Sequence, residues 1–227
     1  MEQRIAGIRH PELLLIASPD QAGAAFGCDQ DWYADRWQRQ AGCGPCTAAT
    51  ILMYLALSRP GLARLYPAAS RSQEDYRHFM SDVWHYVTPG RMGVNEGSIL
   101  AQGVQAYAAE RQVSLLPSIC SVPGRQQCPV RVPEFAGFIQ AGLAQDCPVA
   151  FLNLSNGSLP NLDSWHWVTI TELLADDTGE ILAIIADSGT RKTVSLSLWC
   201  RTTVLGGAAV WFSADPGSSP EANPPPG

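Results

Sequence analysis

Hydrophobic residues recur at helical spacing in four segments of the chain, each preceded or followed by residues that start or stop helices. The first segment opens at Cys43 and is almost continuously apolar as far as Leu55. The second follows Ser72, a good N-cap, and the third follows Asn95, a plausible one. The sequence therefore predicts four helices, over 43–58, 72–87, 96–111 and 133–145.

Shorter segments rich in β-branched and aromatic residues predict strands. They are Val113–Ile119, Pro148–Leu154, Trp165–Leu174, Ile181–Ala186, Thr193–Leu198 and Ala208–Phe212. Short connections, such as the hairpin turn Asp176–Gly179, favour antiparallel pairing. Residues 1–36 show neither period, and we expect irregular structure there. Helices followed by an antiparallel sheet predict an α+β fold.

The size and composition of the chain fit one domain. It has 227 residues, of which 46% are hydrophobic and 16% charged, enough to form a substantial core. We place this domain at 1–213. Residues 214–227 are rich in proline, glycine and serine, and this composition predicts a disordered tail.

Charge and hydropathy exclude several classes of function. The net charge is −6 and basic residues do not cluster, so no nucleic-acid groove is expected. No apolar run approaches the roughly 20 residues that span a bilayer, and the N-terminus does not resemble a signal peptide. The sequence thus predicts a cytoplasmic protein without a membrane span; its oligomeric state is left open.

The cysteine pattern predicts reduced thiols and no metal. There are seven cysteines, an odd and scattered set: Cys28, Cys43, Cys46, Cys120, Cys128, Cys147 and Cys200. A chain of this size does not need disulfides to hold a small core together. A zinc site would require a second ligand pair, and the sequence has no second C-x-x-C and no H-x-x-x-H. We expect neither a metal nor an organic cofactor.

The segment Gly42–Thr47, which reads Gly-Cys-Gly-Pro-Cys-Thr, fits two chemistries. As a C-x-x-C pair, Cys43 and Cys46 would exchange disulfides; as a single nucleophile, Cys43 would attack a carbonyl. In both cases the start of a helix favours a thiolate. A redox dithiol of the thioredoxin type follows a buried strand, but residues 29–40 are polar and charged. We therefore favour the nucleophile.

A nucleophilic cysteine needs a base, and the base needs a third group that orients it. Of the four histidines, His166 begins an apolar strand, and Asp187 ends the strand that the Asp176–Gly179 turn joins to it. In an antiparallel hairpin the end of one strand lies beside the start of the other. The hairpin therefore predicts that Asp187 lies next to His166 and can fix its tautomer.

Cys43-Gly44-Pro45 opening a helix, His166-Trp167-Val168 and Asp187-Ser188-Gly189 together resemble the papain-like cysteine peptidase superfamily. The resemblance covers roughly residues 32–212 and is strongest to the bacterial double-glycine, bacteriocin-processing branch. It implies a papain-like fold, with N-terminal helices and the nucleophile's helix packed on a C-terminal sheet. It also implies that Cys43 is the nucleophile, His166 the base and Asp187 the orienting residue.

The resemblance also implies an oxyanion glutamine about six residues before the cysteine, but Trp37 stands there. We choose Gln38 over Gln40 for this role, because Gln40 is too close along the chain to fold back. The aromatic residues Trp37, Trp165 and Trp167 flank the motif residues and are candidates for substrate binding.

Three features beside the motif residues stay open at this point. Cys46 is either a reversible disulfide partner of Cys43 or a small buried residue of the first helical turn; we favour the second. Two loops rich in turn residues, 88–97 and 155–164, are candidates for the rim of a substrate cleft.

The sequence thus predicts a thiol hydrolase that cleaves a peptide or amide bond through an acyl-enzyme. Alternatives are an acyltransferase or amidase with the same triad, a dithiol oxidoreductase using Cys43 and Cys46, and a non-catalytic peptide-binding module.

Overall fold

A computed structural model of the protein describes residues 2–18, 23–124 and 131–215. Its strands are β1 (Gln3–Gly7), β2 (Leu15–Ser18), β3 (Gly23–Phe26), β4 (Leu115–Val122), β5 (Val149–Asn153), β6 (His166–Ala175), β7 (Ile181–Asp187), β8 (Thr190–Ser195) and β9 (Gly207–Ala214). Its α-helices are α1 (Arg36–Ala41), α2 (Cys43–Ser58), α3 (Gln73–Trp84), α4 (Gly97–Glu110), α5 (Val132–Ala144) and α6 (Leu196–Thr202). Short 3-10 helices cover Pro11–Leu14, Gln30–Trp32 and Pro60–Leu65.

The main sheet is antiparallel and has the strand order β4-β9-β5-β6-β7-β8, with β1 paired to the second half of β6. Strands β2 and β3 form a separate hairpin. Four helices precede most of this sheet in the chain. The molecule is therefore of mixed α+β type, as the sequence predicts.

The helix α2 is the centre of the fold. Its residues from Gly44 to Ala56 are buried on every side, since it packs against β5 and β6 of the sheet on one side and α3 and α4 on the other. A helix that is apolar all round must be surrounded by protein, which explains the continuous apolar run in the sequence. This burial fixes the start of α2, and with it Cys43, against the sheet.

Differences from the sequence predictions lie in the N-terminal segment and at the ends of elements. Residues 1–36, expected to be irregular, contain three short strands. Strand β1 is stabilised by pairing with β6, and β2 and β3 pair with each other. The predicted strand Thr193–Leu198 stops at Ser195, whose side chain accepts a hydrogen bond from the Leu198 amide and caps α6. The N-cap of α4 is Glu96 instead of Asn95.

The predicted domain boundary falls within one residue of the end of β9, at Ala214. The predicted disordered tail lies outside the described residues from position 216 onward. Among the helices in the described ranges, none is both long and apolar enough to cross a membrane.

Candidate active site

Cys43 is the first residue of α2 and is a half-buried free thiol. The turn before it is tight: a Cβ atom at Gly42 would lie 2.4 Å from the Gln38 carbonyl oxygen and 2.7 Å from the Tyr33 ring. Glycine therefore allows α1 and α2 to meet almost without a linker. Cys43 therefore lies at the N-terminal end of a 16-residue helix, which is the positive end of the helix dipole.

The structure brings His166 and Asp187 together. His166 is the first residue of β6, Asp187 is the last of β7, and the antiparallel register pairs Thr169 with Ala186 between them. The His166 Nε2 atom lies 2.7 Å from the Asp187 Oδ1 atom, and both side chains are largely buried. Because the Nε2 atom is hydrogen-bonded to Asp187, the Nδ1 atom is the ring nitrogen that can contact another group.

That partner is Cys43, which lines a small cavity together with His166 and Asp187. This inner cavity has a volume of about 20 Å³, and Gln30, Cys28 and Cys46 also line it. Burial lowers the pKa of His166, but its hydrogen bond with Asp187 and its interaction with the Cys43 thiol outweigh burial and raise the pKa to about 10. The contact with Asp187 thus favours the protonated form of His166.

Asp187 has a second partner that the sequence analysis missed. Lys192 on β8 places its Nζ atom 2.6 Å from Asp187 Oδ2, and the Ser188 hydroxyl donates to Oδ1 at 3.1 Å. Burial raises the pKa of Asp187, but the bonds from His166 and Lys192 lower it to about 2. The sequence held one indication of this residue, since Lys192 is its only lysine.

Removing the Lys192 ammonium group should lower the free energy of unfolding by an amount that depends on pH. Asp187 titrates below its ordinary value of 3.8, so its contribution to stability is present above about pH 4 and is lost as the pH falls toward 2. We expect Lys192→Met to lower the free energy of unfolding by about 1–2 kcal/mol at pH 6. This deficit should shrink between pH 4 and 2.5, as measured by urea unfolding.

The neighbouring Arg191→Met variant is the matched control. Arg191 carries the same charge on the same strand, but it is exposed and pairs with Glu172 at 2.9 Å. Its loss should change stability by less than about 0.5 kcal/mol. A Lys192→Met deficit that is the same at pH 6 and pH 2.5 would contradict the assignment.

A disulfide joins Cys28 to Cys46. The expectation of reduced thiols is therefore wrong for this pair, and neither interpretation of Cys46 identified its partner. Sequence spacing gave no signal, because Cys28 comes close only when the loop after β3 packs on the first turn of α2. Cys43 stays free, as do Cys120, Cys147 and Cys200 among the described residues.

Gln38, which was predicted for the oxyanion site, does not line the inner cavity, and neither does the rejected Gln40. Gln38 lies half-buried on α1, where its backbone amide bonds the Asp35 side chain, and Gln40 lines a different cavity. Gln30, which sequence spacing did not suggest, does line the inner cavity. Its Oε1 atom is buried without a hydrogen-bond partner among the described residues.

The three candidate tryptophans occupy different places. Trp37 and Trp165 are about half exposed and line a second cavity of about 270 Å³, which also reaches Cys43. Trp167 is buried and donates its Nε1 proton to the Val94 carbonyl. The first two therefore face a space that a substrate can enter, while Trp167 holds the 88–97 loop against the sheet. Of the two predicted rim loops, only 88–97 lines this cavity.

No protein-family model matches this chain, and no curated protein matches its sequence. In the part of the chain that the structure describes, no cluster of three or more His, Cys, Asp or Glu side chains could hold a metal ion.

Proposed function

We propose that this protein is a papain-like thiol hydrolase that cleaves a peptide or amide bond through an acyl-enzyme. One observation carries the proposal: a free thiol at the start of a buried helix shares a cavity with a histidine that is hydrogen-bonded to a buried aspartate at 2.7 Å. Nucleophile, base and orienting group are the minimum set for this chemistry.

In the proposed reaction the Cys43 thiolate attacks the carbonyl carbon of the substrate. The His166 imidazolium then gives its proton to the departing amine, and an acyl-enzyme forms on Cys43. Neutral His166 next takes a proton from water, which attacks the thioester and releases the acid. Asp187 keeps the imidazole in one orientation throughout, and Lys192 keeps Asp187 ionised.

We propose Gln30, in place of Gln38, as the side-chain donor to the oxyanion, with the Cys43 amide as the second donor. The support is that Gln30 lines the inner cavity, whereas Gln38 does not. Gln30→Ala should lower kcat by about 100-fold, while the matched Gln38→Ala variant should stay within about threefold of the parent. A larger loss of kcat in Gln38→Ala than in Gln30→Ala would instead assign the oxyanion donor to Gln38.

The experiment that tests the proposal compares two free thiols of one molecule. Cys43 and Cys120 are both half-buried, and burial raises the pKa of Cys120. At pH 7 iodoacetamide should modify Cys43 at least about tenfold faster than Cys120, as followed by mass spectrometry of the peptides. His166→Ala should remove this advantage without altering Cys120. Equal rates in the parent protein would refute an activated thiol.

The rival redox interpretation is disfavoured, because Cys46 is bonded to Cys28 and not to Cys43. It would gain support if Cys46→Ala abolished the activity and His166→Ala did not. An acyltransferase with the same triad would transfer the acyl group to an added amine in preference to water, which product analysis distinguishes.

A further inference from the structure

The second cavity at Cys43, called here the outer cavity, has an unusual concentration of exposed apolar side chains. It is lined by Trp37, Met92 and Trp165, whose exposed fractions are 48%, 59% and 45%. These three are among the most exposed large hydrophobic residues in the described ranges. Apolar surface of this kind, gathered around one concave site, is typical of ligand binding.

The backbone holds two of these side chains in place. Met92 sits with Arg91 at the tip of a tight turn closed by two hydrogen bonds between Gly90 and Gly93. Trp165 has a φ of 57°, a left-handed conformation that costs a non-glycine residue energy. It directly precedes His166, so the strained residue aims its indole at the outer cavity while the next residue faces Cys43.

Arg91 adds a charge to this apolar wall. Its side chain is exposed and lines the outer cavity, and within the described part of the chain its guanidinium has no hydrogen-bond or ion-pair partner. Most other arginines in the described ranges are ion-paired or donate hydrogen bonds, as do Arg59, Arg111 and Arg191. An unpaired guanidinium beside an apolar pocket is suited to bind a carboxylate.

We propose that the outer cavity selects peptides in which a large apolar side chain next to the attacked bond is accompanied by a carboxylate. The apolar side chain packs between Trp37, Met92 and Trp165, and the carboxylate pairs with Arg91. This inference rests on the proposed function, because contact of the cavity with Cys43 is what places the bound side chain beside the reacting carbonyl.

The test measures binding, so that it does not depend on hydrolysis. Dye-labelled peptides Ala-Xaa-Phe-Xaa-Ala-amide, with Xaa as Glu, Gln or Lys, are titrated into the Cys43→Ala variant and followed by fluorescence anisotropy. We expect the Glu peptide to bind at least about fivefold more tightly than the Gln peptide, and the Lys peptide to bind most weakly. A Gln peptide with a free C-terminal carboxylate tests whether the acid group comes from the end of the chain instead.

Substitutions of Arg91 should change the order of affinity of the Glu, Gln and Lys peptides. In the Cys43→Ala background, Arg91→Met should remove the preference for acid, and Arg91→Glu should make the Lys peptide the tightest. Arg77→Met, which removes an exposed arginine from another surface cavity, should change nothing. Replacing Phe by Ala in the peptide should weaken binding at least about tenfold.

Three results would overturn the inference: no detectable binding of any peptide, equal binding of the Glu, Gln and Lys peptides, or an acid preference that survives Arg91→Met. Each is distinct from failure of the proposed function, which the alkylation rate of Cys43 in the unmutated protein reports.

Discussion

Replacing Cys43 with alanine should abolish hydrolysis, and replacing His166 with alanine should lower kcat/KM by about 1000-fold or more. In the proposed reaction, the first change removes the atom that becomes acylated. The second removes both the positive charge that favours the thiolate and the acid that protonates the departing amine. The measurement is release of a fluorophore from a pool of peptides containing Glu-Phe pairs, with each variant checked for an unchanged unfolding transition.

The matched control is His78→Ala. His78 lies exposed on α3 and faces surface cavities away from Cys43, so its loss should leave the rate within about twofold of the parent. Because nucleophile and base act as a unit, the double variant Cys43→Ala/His166→Ala should be no slower than Cys43→Ala alone. A Cys43→Ala variant that keeps a tenth of the parental rate would refute the acyl-enzyme mechanism.

Removing the Cys28–Cys46 disulfide should cost about 3 kcal/mol of stability. The bond closes a loop with a sequence separation of 18, and cross-links over loops of this length restrict the unfolded chain by about that amount. The double variant Cys28→Ser/Cys46→Ser should therefore unfold at a clearly lower urea concentration. Cys120→Ser, which removes a half-buried thiol outside the disulfide, should change stability by less than about 1 kcal/mol.

The same double variant should also lose activity at temperatures where it is still folded. Gln30 follows Cys28 by two residues, and the disulfide ties this loop to the first turn of the helix that begins with Cys43. Releasing the loop should let the Gln30 amide move away from the inner cavity, so kcat should fall while KM changes little. Stability and kcat both equal to those of the parent would show that the bond is dispensable.

Much of the site was predictable because it depends on local order in the chain. The apolar run after Cys43 predicted the helix over 43–58, and the structure has it at Cys43–Ser58. The Asp176–Gly179 turn joins two apolar strands, so an antiparallel hairpin had to bring Asp187 beside His166. The assignment of these residues to catalysis stays a prediction.

The features that were missed depend on contacts between segments with no pattern of their own. The Cys28–Cys46 bond and the position of Gln30 follow from how the loop after β3 packs on α2. Residue spacing along the sequence does not predict this packing. Lys192 reaches Asp187 because β8 pairs with β7 in a register that sets Lys192 opposite Ile185, on the face that Asp187 shares.

The sequence by itself determined the elements, the α+β class and the pairing of His166 with Asp187, because hydrophobic period and short turns act over a few residues. Only the tertiary structure decided which groups lie near Cys43, namely the disulfide, Gln30 and the apolar side chains with Arg91, and that Lys192 pairs with Asp187. The groups near Cys43 meet because α2 is buried on all sides, which brings separate loops to its first turn. This burial depends on the packing of the whole chain.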